Sequence, residues 1–151
     1  MNVVAMSGSD TIDINGRVLV DLADGDFVGL TYPNDIAELK TGKNNNSIYS
    51  FNSTGRQTEL TIRLIRGSSD DKYMNGLLQT QQADFARTIL LTAVMSKKIG
   101  DGKGNVISDT YIMSGGIFSK QVETKSNAEG DTEQSVSVYT MMYSNSPRAI
   151  G

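Results

Sequence analysis

The sequence contains no cysteine, no histidine and no tryptophan, and only two of its 151 residues are proline. Without cysteine there is no disulfide, no thiolate nucleophile and no Cys-bearing zinc site; without histidine the commonest general base, metal ligand and pH switch is missing. Catalysis would have to rest on carboxylates, lysines, tyrosines or hydroxyls, and these stand in no recognisable constellation. An uncharged apolar run approaching the ~20 residues that span a bilayer is also missing. The opening Met1-Asn-Val-Val-Ala-Met-Ser-Gly8 lacks the basic start and apolar centre of a secretory signal. The expectation is a non-enzymatic protein that engages no membrane, takes no cofactor or metal, and is assembled in a cytoplasm. Excess positive charge is absent too: 14 Lys and Arg stand against 17 Asp and Glu, a net charge of −3, the wrong sign for gripping nucleic-acid phosphates.

What is present is enough for one domain, residues 1–151, with a core of Ile, Leu, Val and Met. Charge is unevenly spread. Met1 to Glu38 holds seven acids against Arg17 alone, a balance of −6; Leu39 to Lys120 holds six acids and eleven bases, +5; Gln121 to Gly151 holds four acids and two bases, −2. This asymmetry reflects either which faces are solvated or a chain whose acidic and basic surfaces meet in neighbouring copies.

Most of the pattern is β. Thr11 to Asn15 runs into Arg17 to Leu22, where alternation puts Val18, Val20 and Leu22 on one face and Arg17, Leu19 and Asp21 on the other. Asp24-Gly25 reads as the hairpin turn into Phe27–Tyr32, which Pro33 ends. Thr58 to Ile65 alternates, with Leu60, Ile62 and Leu64 facing a core. Ile89 to Met95 is almost continuously apolar, so both its faces should be covered, by a second layer or by a partner subunit. Strands over Val106–Phe118 and Gln134–Tyr143 complete the set. One helix is expected at about Asp70 to Ala83, capped by Ser68 three residues before Asp71, with Tyr73, Met74, Leu77 and Leu78 as its apolar stripe. Gly76 inside it costs roughly 1 kcal/mol relative to Ala, through either close packing or tolerated weakness. Thr41–Ser47 and Lys125–Glu133 read as exposed hairpin tips, and Gly100–Asn105 as a further turn.

Several motifs have the form of a site without its chemistry. Gly102-Lys-Gly-Asn105 lacks the Walker spacing and opens a strand, not a helix. Asp101 with Asp109 lacks the spacing of a calcium loop. Asp24 and Asp26, a carboxylate pair in form, would be exposed in a tight hairpin without an aromatic cleft. Asn52-Ser-Thr54 has the form of a glycosylation sequon with no sign of secretion, and Lys97-Lys98 and Arg63 to Arg66 are too few for a nucleic-acid platform.

The order of the parts resembles phage tail tube proteins. The resemblance is carried by the polar hairpin Thr41-Gly-Lys-Asn-Asn-Asn-Ser-Ile-Tyr-Ser-Phe-Asn-Ser-Thr-Gly-Arg56, the alternating strand Thr58–Ile65, and Arg66-Gly-Ser-Ser-Asp-Asp71 leading into Tyr73-Met-Asn-Gly-Leu-Leu78. It spans Val18 to Tyr143. The resemblance implies a mainly β fold in which two packed antiparallel sheets form a sandwich or barrel with a single flanking α-helix. It further implies hexameric rings stacked into a hollow tube through which phage DNA passes without tight binding. Sheath, tape-measure and baseplate partners, and a place in the tail of a virion, more readily contractile than not, follow only from it. Related alternatives are the tube of a type VI secretion or phage-tail-like bacteriocin apparatus. A monomeric β-sandwich binding a small ligand is disfavoured by the missing Trp and His. Ser135, Ser137 and Thr140 are placed to line a lumen or to face solvent.

Two contacts between copies are expected. The termini and the 41–54 hairpin are inter-subunit extensions, and the tip Gly42, Lys43, Asn44, Asn45, Asn46 and Ser47 reaches a neighbour, because it is longer and more polar than a bare hairpin requires. Asp24 and Asp26 in the acidic segment pair with the basic middle segment of an adjacent copy.

Overall fold

The computed structural model describes residues 5–23, 27–124 and 135–151, with side chains from residue 10 onward. The chain is mainly β and antiparallel throughout, with one α-helix and two sheets among the described residues. Its strands are β1 (Ala5–Ile14), β2 (Arg17–Val18), β3 (Val28–Thr31), β4 (Ala37–Thr41), β5 (Ser47–Phe51) and β6 (Thr58–Ile65). The helix α1 (Ser69–Ala83) follows, and then β7 (Leu91–Gly100), β8 (Val106–Phe118), β9 (Glu123–Thr124), β10 (Val136–Asn145) and β11 (Arg148–Ile150). Among the described residues nine strands form one sheet in the order β2-β1-β7-β8-β10-β6-β3, with β9 beside β10 and β11 beside β8, and β4 and β5 pair with each other alone.

The large sheet curls around a single core. Ile12 and Ile14 of β1 and Leu60, Ile62 and Leu64 of β6 stand near opposite ends of the strand order, yet they join one buried cluster with Leu91, Ala93, Met113, Tyr139, Met141 and Tyr143. The chain between β2 and β3 closes one end of the curl. It starts on β1, where the Leu19 amide donates to Ile12 (2.9 Å), and ends on β6, where Ala23 donates to Arg63 (3.0 Å) and Ile65 donates to Asp21 (2.9 Å). Between β1, β3, β7 and β8 lies a cavity of about 220 Å³, lined by Ile12, Val28, Met95 and Tyr111 among others.

The helix packs on this core as its stripe predicts. Met74 and Leu78 are buried, with Tyr73 and Leu77 half-buried beside them. Ser68 Oγ accepts from the Asp71 amide (3.2 Å), satisfying one of the orphan donors of the first turn. At the other end Gln81 latches the helix to β8: its amide nitrogen donates to the Phe118 carbonyl and its amide oxygen accepts from the Phe118 N–H, both at 2.9 Å. A Cβ built on Gly76 would meet nothing within 4 Å, so of the two readings of this glycine the structure supports tolerated weakness.

The expected continuous run from Thr11 into Leu22 is corrected to a hairpin that turns back at Asn15-Gly16, and this decides which face is buried. Leu19 faces the core at 3% exposure, while Val20 is 75% exposed and Val18 points outward with it. The cause is Asn15-Gly16, a two-residue hairpin loop with φ of 53° and 86°, the mirror-image turn that Asn-Gly favours. It pairs Ile14 with Arg17 and Asp13 with Val18, and since opposite residues share a face, Arg17 and Leu19 take the core side. Of the two covers expected for Ile89 to Met95, the chain's own second layer is not seen: pairing begins at Leu91, Leu91 and Ala93 point inward, and Ile89, Leu90 and Val94 are exposed, so among the described residues one face alone is covered. The Asp24-Gly25 turn and the Lys125–Glu133 tip lie outside the described residues.

Candidate self-assembly surface

The β4–β5 hairpin buries nothing of its own. All ten strand residues are exposed, and a two-stranded hairpin with no third strand or helix behind it is at best marginally stable in water. Its register is Ala37↔Phe51, Leu39↔Tyr49 and Thr41↔Ser47 on one face, Glu38↔Ser50 and Lys40↔Ile48 on the other. One face therefore carries Ala37, Leu39, Tyr49 and Phe51 with no cover: Leu39 is 59%, Tyr49 77% and Phe51 80% exposed. Isolated exposed apolar residues are ordinary, but a contiguous set on one strand pair marks an interaction surface.

The hairpin is firmly mounted at its base. The Asn52 amide donates to the Ile36 carbonyl (2.9 Å), and Asn52 Oδ1 accepts from both the amide (3.2 Å) and the hydroxyl (2.8 Å) of Thr54. Asn34 Nδ2 bridges to the Thr54 carbonyl (3.3 Å) and Gln57 Oε1 (3.2 Å). Gly55 is buried against the backbone of Ile36; a Cβ there would lie 2.6 Å from Ile36 Cα and 2.9 Å from the Asp35 carbonyl. Just before the hairpin, the Tyr32 hydroxyl donates to the Ser146 carbonyl (2.6 Å), tying this region to the end of β10.

Among the expected contact residues, Gly42 to Ser47 do form the hairpin's exposed tip. A short turn over Lys43–Asn45 is closed by the Gly42 amide on the Asn46 carbonyl (2.7 Å), and Asn44 and Asn45 take left-handed φ of 71° and 64°, a conformation asparagine tolerates. The apolar surface lies in the strands below this tip: Tyr49 and Phe51 fall within the 41–54 hairpin expected to extend between subunits, though not among the residues named as contacts, and Leu39 lies outside it. Asp24 and Asp26 lie outside the described residues. Within one chain a single such pair forms, Lys97 donating to Asp10 (3.1 Å), while Arg17, the one base of the acidic segment, pairs the other way, with Asp70 of the basic segment (3.0 Å).

Asp70 is a structural carboxylate. Its side chain is 1% exposed, and burial alone would raise its pKa. The amides of Asp21 (2.8 Å) and Val20 (2.6 Å) and the Arg17 guanidinium outweigh that and hold it below the usual carboxylate range. Arg17 also lies over the Tyr73 ring, 4.9 Å from its centroid. The suggestion that Ser137 and Thr140 line a lumen is corrected: both are buried, and Ser137 Oγ donates to Asp71 (3.2 Å), beside the Tyr139 hydroxyl that donates to the same carboxylate (2.6 Å). Burial and that carboxylate push the Tyr139 pKa upward, so the phenol stays protonated as a fixed donor.

The other candidate motifs are absorbed by structure. Asp101 Oδ1 accepts from the amides of Lys103 (2.7 Å) and Asn105 (3.2 Å), which shapes the β7–β8 turn. Asp109 accepts from two nitrogens of Arg148, Nε on Oδ1 (2.7 Å) and Nη2 on Oδ2 (2.8 Å), which fastens β11 to β8. A second apolar patch, Phe85, Ile89 and Leu90, follows the helix. Among the described residues no helix is long and apolar enough to cross a membrane. No protein-family model matches the sequence, and no curated protein matches it.

Proposed function

We propose that this chain is a structural subunit that assembles with copies of itself, the building block of a phage-tail-type tube. The observation that supports the reading furthest is the β4–β5 hairpin: fixed at its base, paired in a sheet of its own, and leaving Leu39, Tyr49 and Phe51 uncovered among the described residues. A hairpin reaching from one copy onto a different surface of the next is a heterologous contact, which closes into rings or continues as filaments. The exposed Ile89, Leu90, Val94 and Ile112 add apolar surface for a neighbour to cover. On this reading the copies form hexameric rings that stack, DNA passes through the lumen without tight binding, and sheath, tape-measure and baseplate proteins are the partners; the tail of a virion is the place of action. Net charge of −3 per subunit, multiplied around a ring, suits a wall that must not hold DNA. Sedimentation velocity of the purified chain over a hundredfold concentration range tests the reading. Species of six subunits and larger support it, and a monomer at every concentration refutes it.

A further inference from the structure

Asparagine precedes glycine twice in the sequence, at Asn15-Gly16 and Asn75-Gly76. At such a pair the chain can react with itself. The glycine nitrogen attacks the asparagine Cγ and gives up its proton, the Cγ–Nδ2 bond breaks, ammonia leaves, and a five-membered succinimide remains. Water then adds to either ring carbonyl, leaving aspartate or, in the larger share, an isoaspartate whose main chain runs through the former side-chain carbon. Glycine favours the attack because no Cβ restricts or shields its nitrogen. The ring closes only when that nitrogen lies beside the carboxamide, nearly eclipsed with the asparagine Cβ. Asn15 is exposed but held in the opposite arrangement. Its φ of 53°, followed by 86° at Gly16, belongs to a mirror-image type I turn, in which a ψ of about +30° turns the next nitrogen about 150° away from Cβ. The carboxamide is tied elsewhere, since Asn15 Oδ1 accepts from the amide (2.8 Å) and the hydroxyl (3.4 Å) of Thr92. The attacking group is tied too, its N–H donating to Asp13 Oδ1 (2.8 Å).

We infer that Asn15 is a site of spontaneous deamidation which its own hairpin keeps closed, that local opening of the β1–β2 turn sets its rate, and that the isoaspartyl product dislodges Leu19. The two asparagines differ in what must open. β2 is two residues long and exposed, and it meets β1 only at Asp13 and Ile14. Freeing Asn15 therefore breaks a few exposed hydrogen bonds and leaves the rest of the sheet paired, the kind of opening that lies at the low end of the stability range. Asn75 sits inside α1 between Met74 and Leu78, both buried. Helical backbone also holds its glycine nitrogen out of line, and bringing it into line undoes the turn that seats those two side chains on the core. Asn15 is accordingly the pair that reacts in the folded chain. Aspartate at this position suits the turn. Isoaspartate does not, because one more main-chain carbon in a two-residue loop breaks the register of Ile14 with Arg17 and Asp13 with Val18, the register that turns Leu19 inward.

The test uses the unaltered full chain, dilute, in warm, mildly alkaline buffer over a series of urea concentrations. Samples taken with time are cut with trypsin, which puts Asn15 on the peptide ending at Arg17 and Asn75 on the peptide Tyr73–Arg87. Mass spectrometry reads the gain of one mass unit at each, and fragmentation separates aspartate from isoaspartate. In concentrated urea both asparagines should react at similar rates. In the folded chain Asn15 should react at least tenfold more slowly than in concentrated urea, yet at least fivefold faster than Asn75. Its rate should also rise with urea less steeply than the global unfolding constant measured on the same samples, as a local opening exposes less surface. Equal rates at Asn15 in the folded and unfolded chain would show that the hairpin does not close the site, and a urea dependence as steep as global unfolding would show that no local opening feeds it. Either overturns the inference. The isoaspartyl form, separated by ion exchange, should unfold at a lower urea midpoint than the unaltered chain; an unchanged midpoint would overturn the displacement of Leu19.

Discussion

Replacing Tyr49 and Phe51 together by Thr should leave the subunit folded and remove its ability to assemble. Threonine keeps the β-strand preference of the hairpin, so the change acts on the apolar face alone. In the isolated chain the two rings are 77% and 80% exposed, and substitutions at such positions shift unfolding by less than about 0.5 kcal/mol each. An aromatic side chain offers roughly 150–250 Å² for burial, so four-fifths of that, roughly 120–200 Å², is still in water on each ring. At about 25 cal/mol per Å², complete covering by a neighbour would be worth about 3–5 kcal/mol per ring. An interface covers only part of each ring and the tyrosine hydroxyl gains less, which brings the figure to about 2 kcal/mol per ring. The pair then contributes about 4 kcal/mol per contact, close to a thousandfold in association constant. Urea unfolding at a concentration where the chain is monomeric gives the first half of the prediction, and light scattering against concentration gives the second. The reasoning is refuted if the double variant assembles at the same concentration as the unaltered chain, or if it loses several kcal/mol of monomer stability, since the rings would then belong to the subunit's own fold.

Other substitutions test the scaffold. Gly76→Ala should stabilise the chain by about 0.5–1 kcal/mol, because the new Cβ meets nothing within 4 Å; a lower melting temperature would contradict that. Gly55→Ala should cost about 1–3 kcal/mol by overpacking and tilt the hairpin, since its Cβ would press on the Ile36 backbone, so assembly should fall with it; unchanged stability and assembly would show that the base is softer than described. Asp70, held below the ordinary carboxylate range although burial opposes this, contributes stability that is present above about pH 4 and lost as pH falls through its depressed folded value. Asp70→Asn should therefore lose about 1.5–3 kcal/mol at pH 7 and show a flatter stability profile below pH 4, and a profile parallel to that of the unaltered chain would exclude this carboxylate as the titrating group.

Much of the fold was legible where local pattern and tertiary demand agree. β6 spans Thr58–Ile65 with Leu60, Ile62 and Leu64 inward, because strict alternation on a half-covered strand leaves one arrangement. α1 begins one residue after the Ser68 cap, as the capping signal requires. In Arg17 to Leu22 alternation defines two faces but not which one is buried; the turn decides that, and Asn15-Gly16 supplies it inside a run that reads as continuous. The candidate site was legible as the 41–54 hairpin and its tip, not as an apolar face. Ala37–Thr41 alternates and Ser47–Phe51 carries Ile48, Tyr49 and Phe51 like an ordinary strand, and nothing in such a pattern says whether the apolar face is covered by its own chain or by another. Only the curl of the sheet, which leaves these strands outside, reveals that Leu39, Tyr49 and Phe51 are uncovered.

Electron microscopy of the purified chain, concentrated in low-salt buffer without any partner protein, tests the central claim most directly. The account predicts rings of six subunits and stacked, hollow tubes with a central channel, lost in the Tyr49→Thr, Phe51→Thr double variant. A field of single particles the size of one 16.3 kDa subunit at every concentration would contradict it.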